Sequence, residues 1–153
     1  MKKQTRITRY YKYELKSTRV DECPLPQFQQ TQKVAEMIRT LCYGDGTIDL
    51  YESVFLILLN RNLKLKGVAK IGQGGVSDCV VDIRIICKYA VDSLACGCII
   101  AHNHPSGQTS PSVSDKELTM KVKAALQFFD VNLYDHIIMT SDNYYSFAEN
   151  GVI

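Results

Sequence analysis

The period of the apolar positions changes several times along the chain, and each change marks an expected element. "RITRYYKYELKS", residues 6–17, is rich in β-favouring residues and predicts a strand. "ECPLPQ" follows as a proline-marked connector. "QQTQKVAEMIRTLCY" sets Val34, Met37, Ile38 and Leu41 at helical spacing, and the turn "GDG" ends it. "LYESVFLILLN" is too apolar and too β-rich for a surface element, which predicts a central strand. "LKLKGVAKI", beyond a short turn at Asn60–Asn62, is its expected hairpin partner.

The "GQGG" loop leads to an expected short strand, "VSDCVV". Asp82 then suits the N-cap of a helix over "IRIICKYAVDSL", with Ile85, Ile86, Tyr89 and Val91 as its apolar positions. "ACGCIIAHNH" is a short continuous apolar run, the pattern of a strand covered on both faces. "SDKELTMKVKAALQFFD" predicts a helix whose stripe is Leu118, Val122, Ala125, Leu126 and Phe129, with Ser114 and Glu117 as a capping box. "VNLYDHIIMTS" reads as a further strand, and "YYSFAENGVI" closes the domain. Strands alternating with helices imply an α/β sandwich around a mixed sheet.

Composition narrows the setting. At 153 residues with 46% hydrophobic content, residues 1–153 fit one folded domain with a sizeable core. No apolar stretch reaches the roughly 20 residues a membrane helix needs. The start, "MKKQTRITRYYKYELK", lacks the apolar segment of a signal peptide, so a cytoplasmic location is expected. Cys23, Cys42, Cys79, Cys87, Cys96 and Cys98 lie at unrelated spacings, mostly within apolar runs, and are expected as reduced packing thiols. No Cys-x-x-Cys pair offers a thiolate zinc site.

A net charge of +2 makes no case for nucleic acid. The charge is uneven, however. Lys2, Lys3, Arg6, Arg9, Lys12, Lys16 and Arg19 face only Glu14, with Tyr10, Tyr11 and Tyr13 among them. Such a stretch could meet phosphates and bases, but a solvated edge strand whose charges discourage aggregation is the favoured reading.

The chemistry concentrates in "AHNHPSGQTSPSVSD", residues 101–115. His102 and His104 are one residue apart at a strand end, so both point to one side with Cα atoms roughly 6.6 Å apart. Two imidazoles at that spacing can converge on one cation. Asp115 opens the next helix, where a carboxylate suits the dipole. Together they make three ligands and leave a fourth position for water, which describes catalytic zinc better than structural zinc. Asn103 is expected to face away and bond backbone, and His136 to be a satisfied core histidine.

The segment resembles the JAMM (Jab/MPN-type) zinc metalloprotease signature: His-x-His-Pro, six residues, then Ser-x-x-Asp. His102, His104, Pro105, Ser112 and Asp115 all match, and Glu52 in "YESVFLILL" matches its upstream glutamate. Asn103, "DHIIM" and "YYSF" point to the RadC-like branch. The resemblance runs from about residue 30 to the C-terminus. It implies a cytidine-deaminase-like three-layer α/β/α sandwich with a central mixed sheet and one Zn2+ per chain. It further implies His102, His104 and Asp115 as ligands, Glu52 as general base and proton shuttle, and Ser112 steadying the developing oxyanion. Glu52 on so apolar a strand would be an uneasy structural residue, because a buried carboxylate is costly without a partner.

The implied activity is zinc-dependent hydrolysis of peptide or isopeptide bonds, with a peptide or protein as substrate. The alternative is a non-catalytic module, with or without metal, acting in DNA repair or other DNA transactions. RadC-like proteins often carry a helix-hairpin-helix segment ahead of the metal domain. Here the basic strand and connector of residues 1–26 stand in its place, so nucleic acid is a weakly supported partner. A zinc deaminase needs His-x-Glu and Pro-Cys-x-x-Cys, and neither is present.

Overall fold

A computed structural model describes residues 30–44, 46–75 and 80–153. The basic strand expected at 6–17, the connector at 22–27 and residues 76–79 of the expected "VSDCVV" strand lie outside the described residues. Val80 and Val81 are not in a strand. The described elements are α1 (Thr31–Tyr43), a single 3-10 turn (Thr47–Asp49), β1 (Ser53–Leu59), β2 (Leu65–Gln73), α2 (Ile83–Asp92), β3 (Gly97–Asn103), α3 (Val113–Gln127), β4 (Asn132–Met139) and β5 (Tyr144–Ser146).

The strands form one mixed sheet in the order β2-β1-β3-β4-β5. β1 and β2 make the expected antiparallel hairpin, β1 also runs antiparallel to β3, and β3 runs parallel to β4. A parallel pair needs a crossover, and α3 provides it. One apolar cluster joins α1 (Val34, Met37, Ile38) to Ile57, Ile99, Ala101, Ile137 and Met139. The other joins α2 and α3 (Ile86, Ala90, Val122, Leu126) to Leu56, Leu58, Cys98 and Ile100. The fold is therefore a three-layer α/β/α sandwich, as expected.

Strand alternation decides where the polar residues of β3 go. Every β3 residue is buried. Ile99 and Ala101 face α1, and Asn103 continues that side. Cys98 and Ile100 face α2 and α3, and His102 continues that one. Asn103 bonds backbone as expected: its Oδ1 accepts from Ser53 N at 2.8 Å, and its Nδ2 donates to Ile48 O at 2.7 Å and Tyr51 O at 2.8 Å. It thereby pins the segment that leads into β1.

The helices hold their expected places, but three inward faces differ from the pattern reading. In α1, Leu41 is exposed and Cys42 is buried in its stead, because Val34, Ile38 and Cys42 advance by four residues. In α2, Ile86 and Ala90 are buried, with Ile83 and Cys87 packed beside them, while Ile85, Tyr89 and Val91 are exposed. Bulky residues drew the expected face away from the small ones that the sheet accommodates. In α3, Val122 and Leu126 are buried with Leu118 against them, but Phe129 is exposed. Asp82 caps α2 as expected, accepting from Arg84 N at 2.9 Å.

The described cysteines, Cys42, Cys87, Cys96 and Cys98, are free thiols. Burial pushes the Cys42 and Cys98 thiols up to about 12, which suits packing rather than reactivity. Among the described residues, no helix is long and apolar enough to cross a membrane.

Asn103→Ala should orphan one buried donor and two acceptors, lowering stability by on the order of 3 kcal/mol in denaturant unfolding. Asn103→Asp, nearly isosteric, should fare no better, because a carboxylate cannot donate to the Ile48 and Tyr51 carbonyls. A loss well under 1 kcal/mol for both would contradict the pinning role.

Candidate metal centre

The site lies where β3 ends and α3 begins, beside β4. His102 is buried at the next-to-last pair of the β3–β4 ladder, opposite Ile138. His104 N extends that ladder by donating to Met139 O at 2.9 Å. The chain then turns: Gly107 N donates to His104 O at 3.1 Å, and Gly107 takes φ +77°, which glycine adopts without strain. That turn brings Gln108 O to 2.8 Å from His104 Nδ1. A carbonyl only accepts, so His104 carries hydrogen on Nδ1, which leaves Nε2 as the nitrogen that faces the site.

The helix start supplies the carboxylate. The expected capping box of Ser114 and Glu117 is not the one formed; Ser112 and Asp115 make it, two residues earlier. Ser112 Oγ accepts from Asp115 N at 3.1 Å, and Asp115 Oδ2 accepts from Ser112 N at 2.7 Å. Helix α3 starts at Val113, which makes Ser112 the N-cap and puts Asp115 at its third position. Ser112 Oγ also donates to Asp115 Oδ2 at 2.6 Å. Asp115 is thus held in one orientation.

His102, His104 and Asp115 converge: their ligand atoms all lie within 4.8 Å of one another. His102 Nε2 is 2.9 Å from His104 Nε2 and 3.2 Å from Asp115 Oδ1, and His104 Nε2 is 3.7 Å from Asp115 Oδ2. Burial opposes the Asp115 charge. The His102 ring and the Ser112 hydroxyl and amide outweigh it, holding the carboxyl well below the usual carboxylate range. Two imidazole nitrogens and one carboxylate fit zinc or a similar transition ion; calcium would take six or more oxygens.

Glu52 lies outside that trio. It immediately precedes β1, with its amide donating to Gly75 O and its carbonyl accepting from Gly74 N, both at 3.0 Å. Val54 is registered opposite His102, and Glu52 lies two residues before it, just ahead of β1. It is partly buried there.

His136 is the residue whose importance the sequence understated. It is fully buried and satisfied, but its partners belong to the site. Its Nε2 is 2.8 Å from His102 Nδ1, and its Nδ1 is 2.6 Å from Thr119 Oγ1. The Phe147 ring stacks on it, with centroids 4.7 Å apart at 14°. Burial, with the His102 charge second, pushes its pKa well below the ordinary histidine value, so the ring is neutral. Sequence pattern alone does not single out Thr119. Its signal is a hydroxyl on the buried stripe of α3, one turn after Asp115 and one before Val122.

Comparison with known proteins supplies the family. The description "RadC-like JAB domain" matches residues 28–152. The chain belongs to the RadC-like JAB domain family. A UPF0758 protein of Flavobacterium johnsoniae is 38% identical over 102 residues, 67% of this chain and 44% of that relative. A UPF0758 protein of Porphyromonas gingivalis is 40% identical over 103 residues, 67% of this chain and 45% of the relative. UPF0758 protein YfjY of Escherichia coli is 37% identical over 102 residues, 67% of this chain and 64% of the relative. This RadC-like chain spans less than half of the first two relatives and under two thirds of the third.

Ser112→Ala should remove the cap and one hold on Asp115, lowering stability by about 1 kcal/mol in thermal or denaturant unfolding. Ser114→Ala, outside the box, should change it by well under half of that. Equal losses in the two variants would contradict the observed capping register.

Proposed function

We propose that this RadC-like domain is a zinc-dependent hydrolase of peptide or isopeptide bonds. The convergence of His102 Nε2, His104 Nε2 and the Asp115 carboxylate within 4.8 Å carries the reading. All three would hold the ion. His102 side-chain exposure is 6%, whereas His104 and Asp115 keep 14% and 15%, so the trio is approached from the His104–Asp115 side. Zinc, when bound, supplies a Lewis acid and brings the pKa of a water to about 7.

Glu52 is the general base in this reading. It lies two residues before Val54, the register partner of His102. Strand alternation carried past the end of β1 would bring it to the His102 face, where it would take a proton from the attacking water and return it to the leaving amine. Ser112 would steady the oxyanion by turning its hydroxyl hydrogen away from Asp115 Oδ2, its present acceptor. The substrate is a peptide or protein with an amide or isopeptide bond, and the location is the cytoplasm.

The full chain, purified without chelator, should hold about one zinc per chain by elemental analysis. Zinc uptake should weaken on acidification, since protons compete for the imidazoles. The depressed Asp115 carboxyl stays ionised across roughly pH 5 to 8, so it should add no step there.

Glu52→Gln keeps the shape and removes the basicity. It should retain zinc while slowing cleavage, on bonds identified by mass spectrometry of digested lysate protein, by on the order of a hundredfold to ten-thousandfold. Asp115→Ala should lose both metal and turnover. Release of zinc by Glu52→Gln would make Glu52 a ligand, and full activity would remove it as base. Stoichiometric zinc with no cleaved bond in the parent would favour a metal-bearing module without catalysis.

A further inference from the structure

The buried pair Thr119 and His136 has no role in the reading above, yet it touches the site at both ends. Thr119 Oγ1 lies 2.6 Å from Asp115 O and 2.6 Å from His136 Nδ1. Two oxygens that close need a hydrogen between them, and a backbone carbonyl has none to give. The single Thr119 hydroxyl hydrogen is therefore committed to Asp115 O. It follows that His136 donates from Nδ1 to Thr119 Oγ1.

The direction then propagates. A neutral imidazole with hydrogen on Nδ1 offers only a lone pair at Nε2. His136 Nε2 sits 2.8 Å from His102 Nδ1, so His102 must donate there. With Nδ1 committed to His136, His102 Nε2 is the nitrogen left for the site, 2.9 Å from His104 Nε2 and 3.2 Å from Asp115 Oδ1. Nothing in that chain is free to reverse: it starts on a carbonyl, and Phe147 stacks on the central ring.

We propose that Thr119 and His136 are positioning residues that hold hydrogen on His102 Nδ1 and fix its ring angle, so that Nε2 is the nitrogen presented toward His104 and Asp115. The relay links α3, β4 and β3, and it begins on the backbone of Asp115 itself. One anchored hydroxyl thus orients both a carboxylate-bearing residue and an imidazole. Partners of this kind, beyond the ligands, tune how well a metal is held. The proposal rests on the metal reading above.

The test uses the full chain with 15N-labelled histidine, stripped by chelator and reloaded with zinc. Long-range 1H–15N spectra near pH 8 report which His102 nitrogen carries hydrogen, and competition with a chelating dye reports zinc affinity. In the parent, His102 should carry hydrogen on Nδ1 in both states. Thr119→Val should weaken zinc binding roughly ten- to a hundredfold and mix the His102 tautomers in the stripped protein. Thr119→Ser, which keeps the hydroxyl, should restore the parent's affinity and spectrum.

A His102 Nδ1 without hydrogen in the stripped parent overturns the relay. Parent-like affinity and spectrum in Thr119→Val overturn it as well. The parent's own spectrum decides the matter if the valine variant does not fold. A parent that takes up no zinc overturns the metal reading instead, while its metal-free spectrum still decides the relay.

Discussion

Strand β3 is buried on both faces, and its last residues are polar. That is the constraint from which the rest of the molecule follows. A buried polar group is tolerable only when it finds partners, because leaving it bare costs several times what a typical hydrogen bond contributes. Alternation sends Asn103 toward α1 and His102 toward α3, so the two faces solve the problem separately. On one face, Asn103 takes its partners from the segment before β1 and fixes where that strand starts. On the other, His102 takes its partner from β4 and leaves one nitrogen for the crevice.

The crevice owes its shape to ordinary helix and turn chemistry. A glycine-closed turn swings the chain away from β3 and satisfies one nitrogen of His104 with a carbonyl. A capping box then starts α3 and aims its carboxylate at the two imidazoles. Each device is local and common. Their combination brings two imidazole nitrogens and a carboxylate within a few ångströms of one another, an arrangement that suits a cation.

Most of this was legible in the sequence because it depends on spacing. The run from Gly97 to Asn103 had to be a doubly covered strand, and the one-residue gap between the histidines had to put both on one side. What escaped depended on contacts across the sheet. The inward face of α2 is carried by Ile86 and Ala90, four residues apart, and Tyr89 is left outside, a choice that rests on how the helix packs on the sheet. The box forms at Ser112 rather than Ser114 because α3 already begins at Val113. His136 read correctly as a satisfied core histidine, but that its partners were His102 and Thr119 is a matter of register between β3, β4 and α3. Family membership supplies the frame for these residues, and the hydrogen-bond directions supply their order.

The central claim is that His102 Nε2, His104 Nε2 and Asp115 face a common cation. The most direct measurement is a crystal structure of the full chain grown with zinc, with anomalous data collected on either side of the zinc edge. One strong anomalous peak is expected between the three side chains, about 2.0 to 2.1 Å from both Nε2 atoms, with His136 still bonded to His102 Nδ1. No peak at saturating zinc, or a peak on other atoms with the trio left apart, would contradict that claim.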